Sequence, residues 1–130
     1  MRSVAGAGVV VTGAGSGIGA ALARRFAAEG ARVVVNDINA AAAAEVAASC
    51  DAVVVPGDAA SEQGVAHLIA TAAEVLGGID LYCANAGVAR GGGEDAAEPD
   101  WDISWQVNVM ALSGPRGCSP GRGWRGGAAI

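Results

Sequence analysis

Short β-branched runs alternate with longer stretches of helical period along this chain, and the alternation repeats to about residue 112. Val9–Val11 is an uninterrupted apolar run of strand length, the pattern of a strand buried on both faces. Gly17–Glu29 follows with Ile18, Leu22 and Phe26 at i, i+4 and i+8, which predicts a helix that Gly30 ends. Val33-Val34-Val35, within Arg32–Asp37, predicts a second strand. Asn39 stands where an N-cap would open an alanine-rich helix running to about Ser49. Ala52–Val55 predicts a third strand, closed by Pro56-Gly57. Ser61 is placed to cap a helix with Val65, Leu68, Ile69, Ala72 and Leu76 on its apolar face and Gly77-Gly78 as its stop. Ile79–Ala84 predicts a fourth strand. After a loop centred on Gly91-Gly92-Gly93, Glu98–Leu112 predicts a fourth helix with Trp101, Trp105, Val109 and Leu112 on one face. At that spacing the two tryptophans are expected in the core.

Strands and helices alternating in this way build βαβ units on a parallel sheet. Right-handed crossovers lay the strands in the order 3-2-1-4, the first half of a doubly wound, Rossmann-type α/β fold. Beyond Ser113 neither period continues. Residues 114–130 form a Gly/Arg/Pro-rich tail expected to be disordered or frame-shifted, and the sheet is expected to be truncated after about four strands, leaving the fourth as an exposed edge. Residues 1–113 carry all thirteen acids and five arginines, whereas the tail carries three arginines and no acid. Coding DNA in which no alternative frame after codon 112 continues the strand–helix alternation would exclude the frame-shift.

Composition narrows the function classes. The net charge of −5 lacks the basic footprint that nucleic acid requires, so no nucleic-acid partner is expected. Ser3–Ala23 is uncharged, but six glycines, Thr12 and Ser16 interrupt it, so it is not read as a membrane span or a signal peptide. Cys50, Cys83 and Cys118 are far apart and form no CxxC or Cys/His cluster, which argues against zinc and suits a reducing cytoplasm. His67, the one histidine, falls on the third helix away from the glycine loop and is expected at the surface or in packing.

The candidate chemistry begins at Thr12-Gly13-Ala14-Gly15-Ser16-Gly17-Ile18-Gly19, between the first strand and the first helix. A glycine turn there lets backbone N–H groups and the positive helix end face a pyrophosphate. GxGxxG fails, because Ile18 stands at the third glycine; GxxxGxG fits, with Gly13, Gly17 and Gly19. Asp37 closes the second strand, where a carboxylate can accept from ribose hydroxyls and repel a 2′-phosphate, or can simply cap the next helix. Asp58 follows the third strand, as a ligand contact or an acid near the next helix start, and Asn85-Ala86-Gly87 ends the fourth, as a pocket lining or a simple Asx turn. Asn108 lies on the apolar stripe of the fourth helix, as a satisfied core amide or a functional group.

Taken together, these residues closely resemble the short-chain dehydrogenase/reductase family over about residues 5–112. The resemblance implies an N-terminal cofactor-binding half that binds NAD, favoured over NADP because of Asp37. Its cofactor contacts would be Thr12, Gly13, Gly15, Ser16, Gly17, Ile18, Gly19, Asp37, Asp58, Ala59, Asn85, Ala86 and Gly87. Asp58 would touch the adenine edge, Asn85-Ala86-Gly87 would line the nicotinamide-side ribose, and Asn108 would hold a proton-relay water. It also implies hydride transfer to or from a small-molecule secondary alcohol or ketone. The family's catalytic Ser and Tyr-x-x-x-Lys pair have no counterpart: the chain has no lysine, and its one tyrosine, Tyr82, is followed four places later by Ala86. The helices that commonly form the family's homo-oligomer interfaces are also missing. The expectation is therefore an oxidoreductase by family, inactive as this chain. The alternative is a catalytically dead dinucleotide-binding fragment or pseudogene product.

Overall fold

A computed structural model describes residues 3–88, 96–108 and 124–129, the last as backbone only. Its elements run β1 (Gly8–Val11), α1 (Gly17–Ala28), β2 (Arg32–Val35), α2 (Ala40–Ser49), β3 (Val53–Val54), α3 (Glu62–Leu76), β4 (Ile79–Cys83), α4 (Glu98–Asn108) and β5 (Trp124–Ala129). The strands form one sheet in the order β3-β2-β1-β4-β5, and each neighbouring pair is parallel. The 3-2-1-4 order read from the alternation is therefore present, with β5 added beside β4.

The unbroken valine runs of β1 and β2 follow from burial on both faces, whereas Val53 and Val54 of β3 are exposed. Because strand side chains alternate, each of the two buried runs feeds two cores. Val9, Val11, Val33, Val35 and Cys83 face one side and pack with Ala20, Ala23, Ala43, Val46 and Ala47 of α1 and α2. Val10, Val34 and Tyr82 face the other side and pack with Leu68, Ala72 and Leu76 of α3.

Local signals set the helix ends. The Asn39 side chain accepts from Ala42 N at 3.1 Å and the Ser61 hydroxyl from Gly64 N at 3.0 Å, each satisfying a donor of the first helical turn. Gly77 closes α3 in the left-handed region at φ 68°. Two tertiary ties supplement them. Asp80 Oδ2 accepts from Gly8 N at 2.8 Å, and the Arg32 guanidinium donates to the carbonyls of Gly6 and Leu76.

The helix read from Ile18, Leu22 and Phe26 is present as α1, which packs through Gly19, Ala20 and Ala23, with Leu22 and Phe26 half-buried and Ile18 exposed. Two expectations are corrected. Trp101 and Trp105 are 55% and 56% exposed, and α4 buries none of its described residues, so they are not core. Val109 and Leu112, which would extend α4, lie outside the described residues.

The second correction concerns the tail. Trp124–Ala129 forms a strand beside β4, pairing Ile79 with Trp124, Leu81 with Ala128 and Tyr82 with Ala129 across a register shift. Strand addition uses backbone N–H and C=O groups, which every residue but proline offers, so it needs no apolar period. The edge of β4 is covered over this stretch. Residues 114–123, where disorder was also expected, are outside the described residues.

Candidate functional site

β1, β2 and β4 end side by side, with β1 between the other two. The chain leaves β1 for a helix on one face of the sheet, and α3 leads into β4 from the other. A crevice at the carboxyl ends of such strands is where open α/β sheets bind ligands.

Thr12 is the centre of this region. It is 2% exposed, and its hydroxyl donates to Cys83 O at 3.3 Å while accepting from Asn85 N and Ala86 N at 3.1 Å each. One donor and two acceptor positions are thereby all used. The Asn85 side-chain amide donates back to Thr12 O and Gly13 O at 3.2 and 3.3 Å. The glycine loop and the Asn85-Ala86 segment are thus one hydrogen-bonded unit. Thr12→Val is expected to lower stability by about 2–4 kcal/mol, because two backbone donors lose their acceptor. Thr12→Ser should restore most of it, as measured by urea unfolding.

The glycines have separate tasks. Gly13 sits at φ +61°, and a Cβ there would stand 2.6 Å from Ala86 Cα. Gly19 is closed in by Gly13 O, Asn85 and Ala14. Gly17 is different: at φ +54° its Cβ position faces open space. Ser16, the N-cap of α1, makes no side-chain capping bond, and no acid lies in the first turn. This helix end therefore presents donors and positive dipole uncompensated by its own side chains, beside an opening only a glycine leaves clear. The arrangement fits a pyrophosphate.

Asp37 lies at the rim. Its Oδ2 accepts from Gly15 N and its Oδ1 from Asn39 N, both at 2.9 Å. A Cβ on Gly15 would stand 2.9 Å from Asp37 Oδ2 and 3.0 Å from Ala42 Cβ, so glycine is what admits the carboxylate to the loop. Two backbone amides hold it, and two of about four lone-pair positions remain for other donors. Asp58 is exposed, its Oδ1 accepting from Ala60 N at 2.8 Å, and Ala59 beside it is buried. Gly57 N donates to Asp37 O at 3.1 Å, linking the two acid-bearing turns.

Asn108 is exposed rather than part of a buried stripe. Its Oδ1 accepts from Val88 N at 2.8 Å and its Nδ2 donates to Val88 O at 2.7 Å, and Gly87 packs against the same amide. The amide is therefore not a core group, and its partner is the backbone after Asn85-Ala86-Gly87. His67 is exposed on α3.

Asn36 has no place in the sequence reading above. It is 2% exposed, and its amide nitrogen donates to Val55 O at 3.0 Å and Gly57 O at 3.2 Å. A signal existed: Asn36 continues the inward alternation of Val34, and a polar residue at that phase has to find buried partners.

Burial pushes the Cys83 thiol up from 9.0 to about 11. The folded state therefore favours the protonated thiol, and that contribution is complete below pH 9 and lost as pH rises toward 11. Unfolding free energy should fall by up to about 1.4 kcal/mol per pH unit across that window, and less steeply in Cys83→Ala. Among the described residues there is no cluster of three or more His, Cys, Asp or Glu able to hold a metal, and no helix is long and apolar enough to cross a membrane.

Residues 7–114 match the profile of the family described as short chain dehydrogenase. A 2,5-dichloro-2,5-cyclohexadiene-1,4-diol dehydrogenase from Sphingobium indicum is 37% identical over 115 residues, covering 84% of this chain and 46% of the relative. A 3-ketoacyl-(acyl-carrier-protein) reductase from Brucella melitensis, complexed with NADH, superposes with a TM-score of 0.82 at 33% identity, covering 86% of this chain and 48% of that one. A short chain dehydrogenase from Burkholderia cenocepacia, in complex with NADP, superposes at 0.79 with 33% identity, covering 88% and 52%. The chain spans about half the length of the proteins it matches.

Proposed function

The chain belongs to the short-chain dehydrogenase/reductase family, and from that premise we propose that it binds NAD in preference to NADP, in the service of hydride exchange with a secondary alcohol or its carbonyl. The observation that carries the preference is Asp37, fixed by Gly15 N and Asn39 N at the end of β2. A carboxylate so held accepts from two vicinal ribose hydroxyls without reorganising, and it repels a phosphate at the 2′ position. No arginine lies in the glycine loop or directly after Asp37 to offset that charge.

The bound dinucleotide supplies the hydride acceptor or donor at its nicotinamide ring. The protein's part is to hold it: Gly13, Gly15, Ser16, Gly17, Ile18 and Gly19 against the pyrophosphate, Asp37 on the adenosine ribose, Asp58 and Ala59 at the base. Thr12 locks Asn85, Ala86 and Gly87 into the floor on the nicotinamide side. Asn108 holds that segment through Val88, and the relay role implied by the family resemblance would act from this anchored position.

A second reading is favoured by one specific observation. Tyr82 is 1% exposed inside β4 and the chain has no lysine, so none of these residues forms the family's Tyr-x-x-x-Lys pair. That pair gives the reacting oxygen its proton and electrostatic support. Residues 1–130 by themselves would then bind cofactor without turnover, as a dinucleotide-binding module. The sparse, odd cysteine count supports a cytoplasmic location.

Parallel titrations with NADH and NADPH, followed by an assay on a panel of secondary alcohols and ketones, test both readings. Tighter NADH binding without turnover is expected. Equal or tighter NADPH binding would overturn the cofactor assignment, and steady turnover would overturn the binding-only reading.

A further inference from the structure

Asn36 ties together three segments that reach the crevice by different routes. Its backbone N donates to Val11 O at 3.0 Å, at the end of β1, and its carbonyl accepts from Ala14 N at 2.8 Å, inside the glycine loop. Its side chain extends to the turn after β3, donating to Val55 O and Gly57 O. That turn needs the support. β3 is only two residues long, pairing Val53 and Val54 with Val34 and Val35, and Pro56 in the turn has no N–H to offer. Besides the Asn36 amide, Val55 N to Val35 O and Gly57 N to Asp37 O secure it. Asp58 is the next residue.

The side-chain chemistry is specific. Two carbonyls converge on one atom, which must carry two hydrogens, and Asn supplies them within a short reach. Valine or alanine would suit the buried site but would offer no donor, and serine would offer one. A plain packing role would not require an amide with both N–H groups committed to a neighbouring turn.

We infer that Asn36 is a positioning residue for recognition of the adenine base. It acts through Asp58 by setting where that carboxylate stands relative to Asp37 and the glycine loop. The inference rests on the NAD reading above and goes beyond it, since it makes base selectivity depend on a buried residue at the end of β2. Adenine presents a 6-amino donor to a carboxylate; hypoxanthine presents a 6-oxo acceptor in its place. A well-placed Asp58 distinguishes the two, and a displaced one does not.

The experiment is equilibrium titration of the 130-residue protein with NADH and with reduced nicotinamide hypoxanthine dinucleotide. The wild type is expected to prefer NADH by about tenfold, one charge-assisted hydrogen bond's worth of selectivity. In Asn36→Ala the preference should shrink to about twofold, through weaker NADH binding, with affinity for the hypoxanthine analogue little changed. Asp58→Ala should shrink it similarly, and adding Asn36→Ala to Asp58→Ala should change it no further, because the two act as one unit. Asn36→Ser, which keeps one donor, should fall between wild type and alanine, and it carries the test if the alanine variant does not unfold cooperatively. Equal weakening of both dinucleotides in the Asn36 variants would show a purely structural role and overturn the inference. So would a wild type that binds both equally. A wild type that binds neither would instead overturn the cofactor reading beneath it.

Discussion

Alanine at Gly19 is expected to weaken NADH binding by about two orders of magnitude or more, and to destabilise the fold by about 1–3 kcal/mol. The new Cβ would stand 2.6 Å from Asn85 Nδ2 and 2.9 Å from Ala14 Cα, and it would also press on the Gly13 carbonyl. Two of these three neighbours are backbone, and the Asn85 amide is itself held by Thr12 O and Gly13 O. None is a flexible side-chain end that can swing aside. The first turn of α1 must therefore lift from the loop, and its N–H groups lose their aim at the pyrophosphate. Gly17→Ala is the informative contrast. Its φ of +54° costs about 1 kcal/mol for a side chain, but nothing in the protein collides with the added methyl. That methyl stands in the open space assigned to the phosphates. The Gly17 variant should thus stay folded and lose binding, whereas the Gly19 variant should lose both. Thermal unfolding beside NADH titration separates them.

Asp37→Ala is expected to raise the NADH dissociation constant by about 30–100-fold, through the loss of two charge-assisted hydrogen bonds. NADPH binding should change far less or improve, so the ratio of the two affinities moves toward or past unity. Some stability goes as well, because Gly15 N and Asn39 N lose their acceptor. Asp37→Asn separates charge from geometry. Its amide oxygen can keep one backbone donor but carries no charge to repel a 2′-phosphate, so NADPH should gain relative to NADH even where stability is retained. An unchanged NADH:NADPH ratio in both variants would remove Asp37 from cofactor selection.

The centre of the fold was legible because its signals are local or periodic. Two valine runs buried on both faces, a third in β3, caps at Asn39 and Ser61 and a left-handed Gly77 together dictate alternating strands and helices. Handedness then leaves few topologies for β3-β2-β1-β4. The glycine loop was legible for a related reason: a strand, a GxxxGxG turn and a helix start fall in contiguous sequence. Misreadings arose where packing depends on residues far away in the chain. Trp101 and Trp105 share a helical face, but spacing alone does not show what surface lies opposite. β5 pairs with β4 through backbone groups, which leave no period in Trp124–Ala129.

Within the site, the sequence named the residues but not their connections. Thr12 was readable as the start of a loop, whereas the three bonds of its hydroxyl to Cys83, Asn85 and Ala86 span more than seventy positions. Asn108 was readable as a polar residue on a helix, whereas its partner Val88 lies across the loop that includes residues outside the described set. Asn36 belongs to no motif in the sequence and stands next to Asp37, whose carboxylate carries the recognisable chemistry. Its role becomes visible only when the turn after β3 is seen folded against it.

The central claim is that the loop from Gly13 to Gly19, backed by Asp37, holds a dinucleotide. Amide chemical-shift mapping of the nitrogen-15-labelled protein during an NADH titration tests it most directly. The amides of Gly15–Gly19, Ile38 and Asn85–Gly87 are expected to shift along one saturation curve while those of α3 facing away from the crevice stay in place. A well-dispersed spectrum in which the Gly15–Gly19 amides do not respond, or respond without saturating, would contradict it.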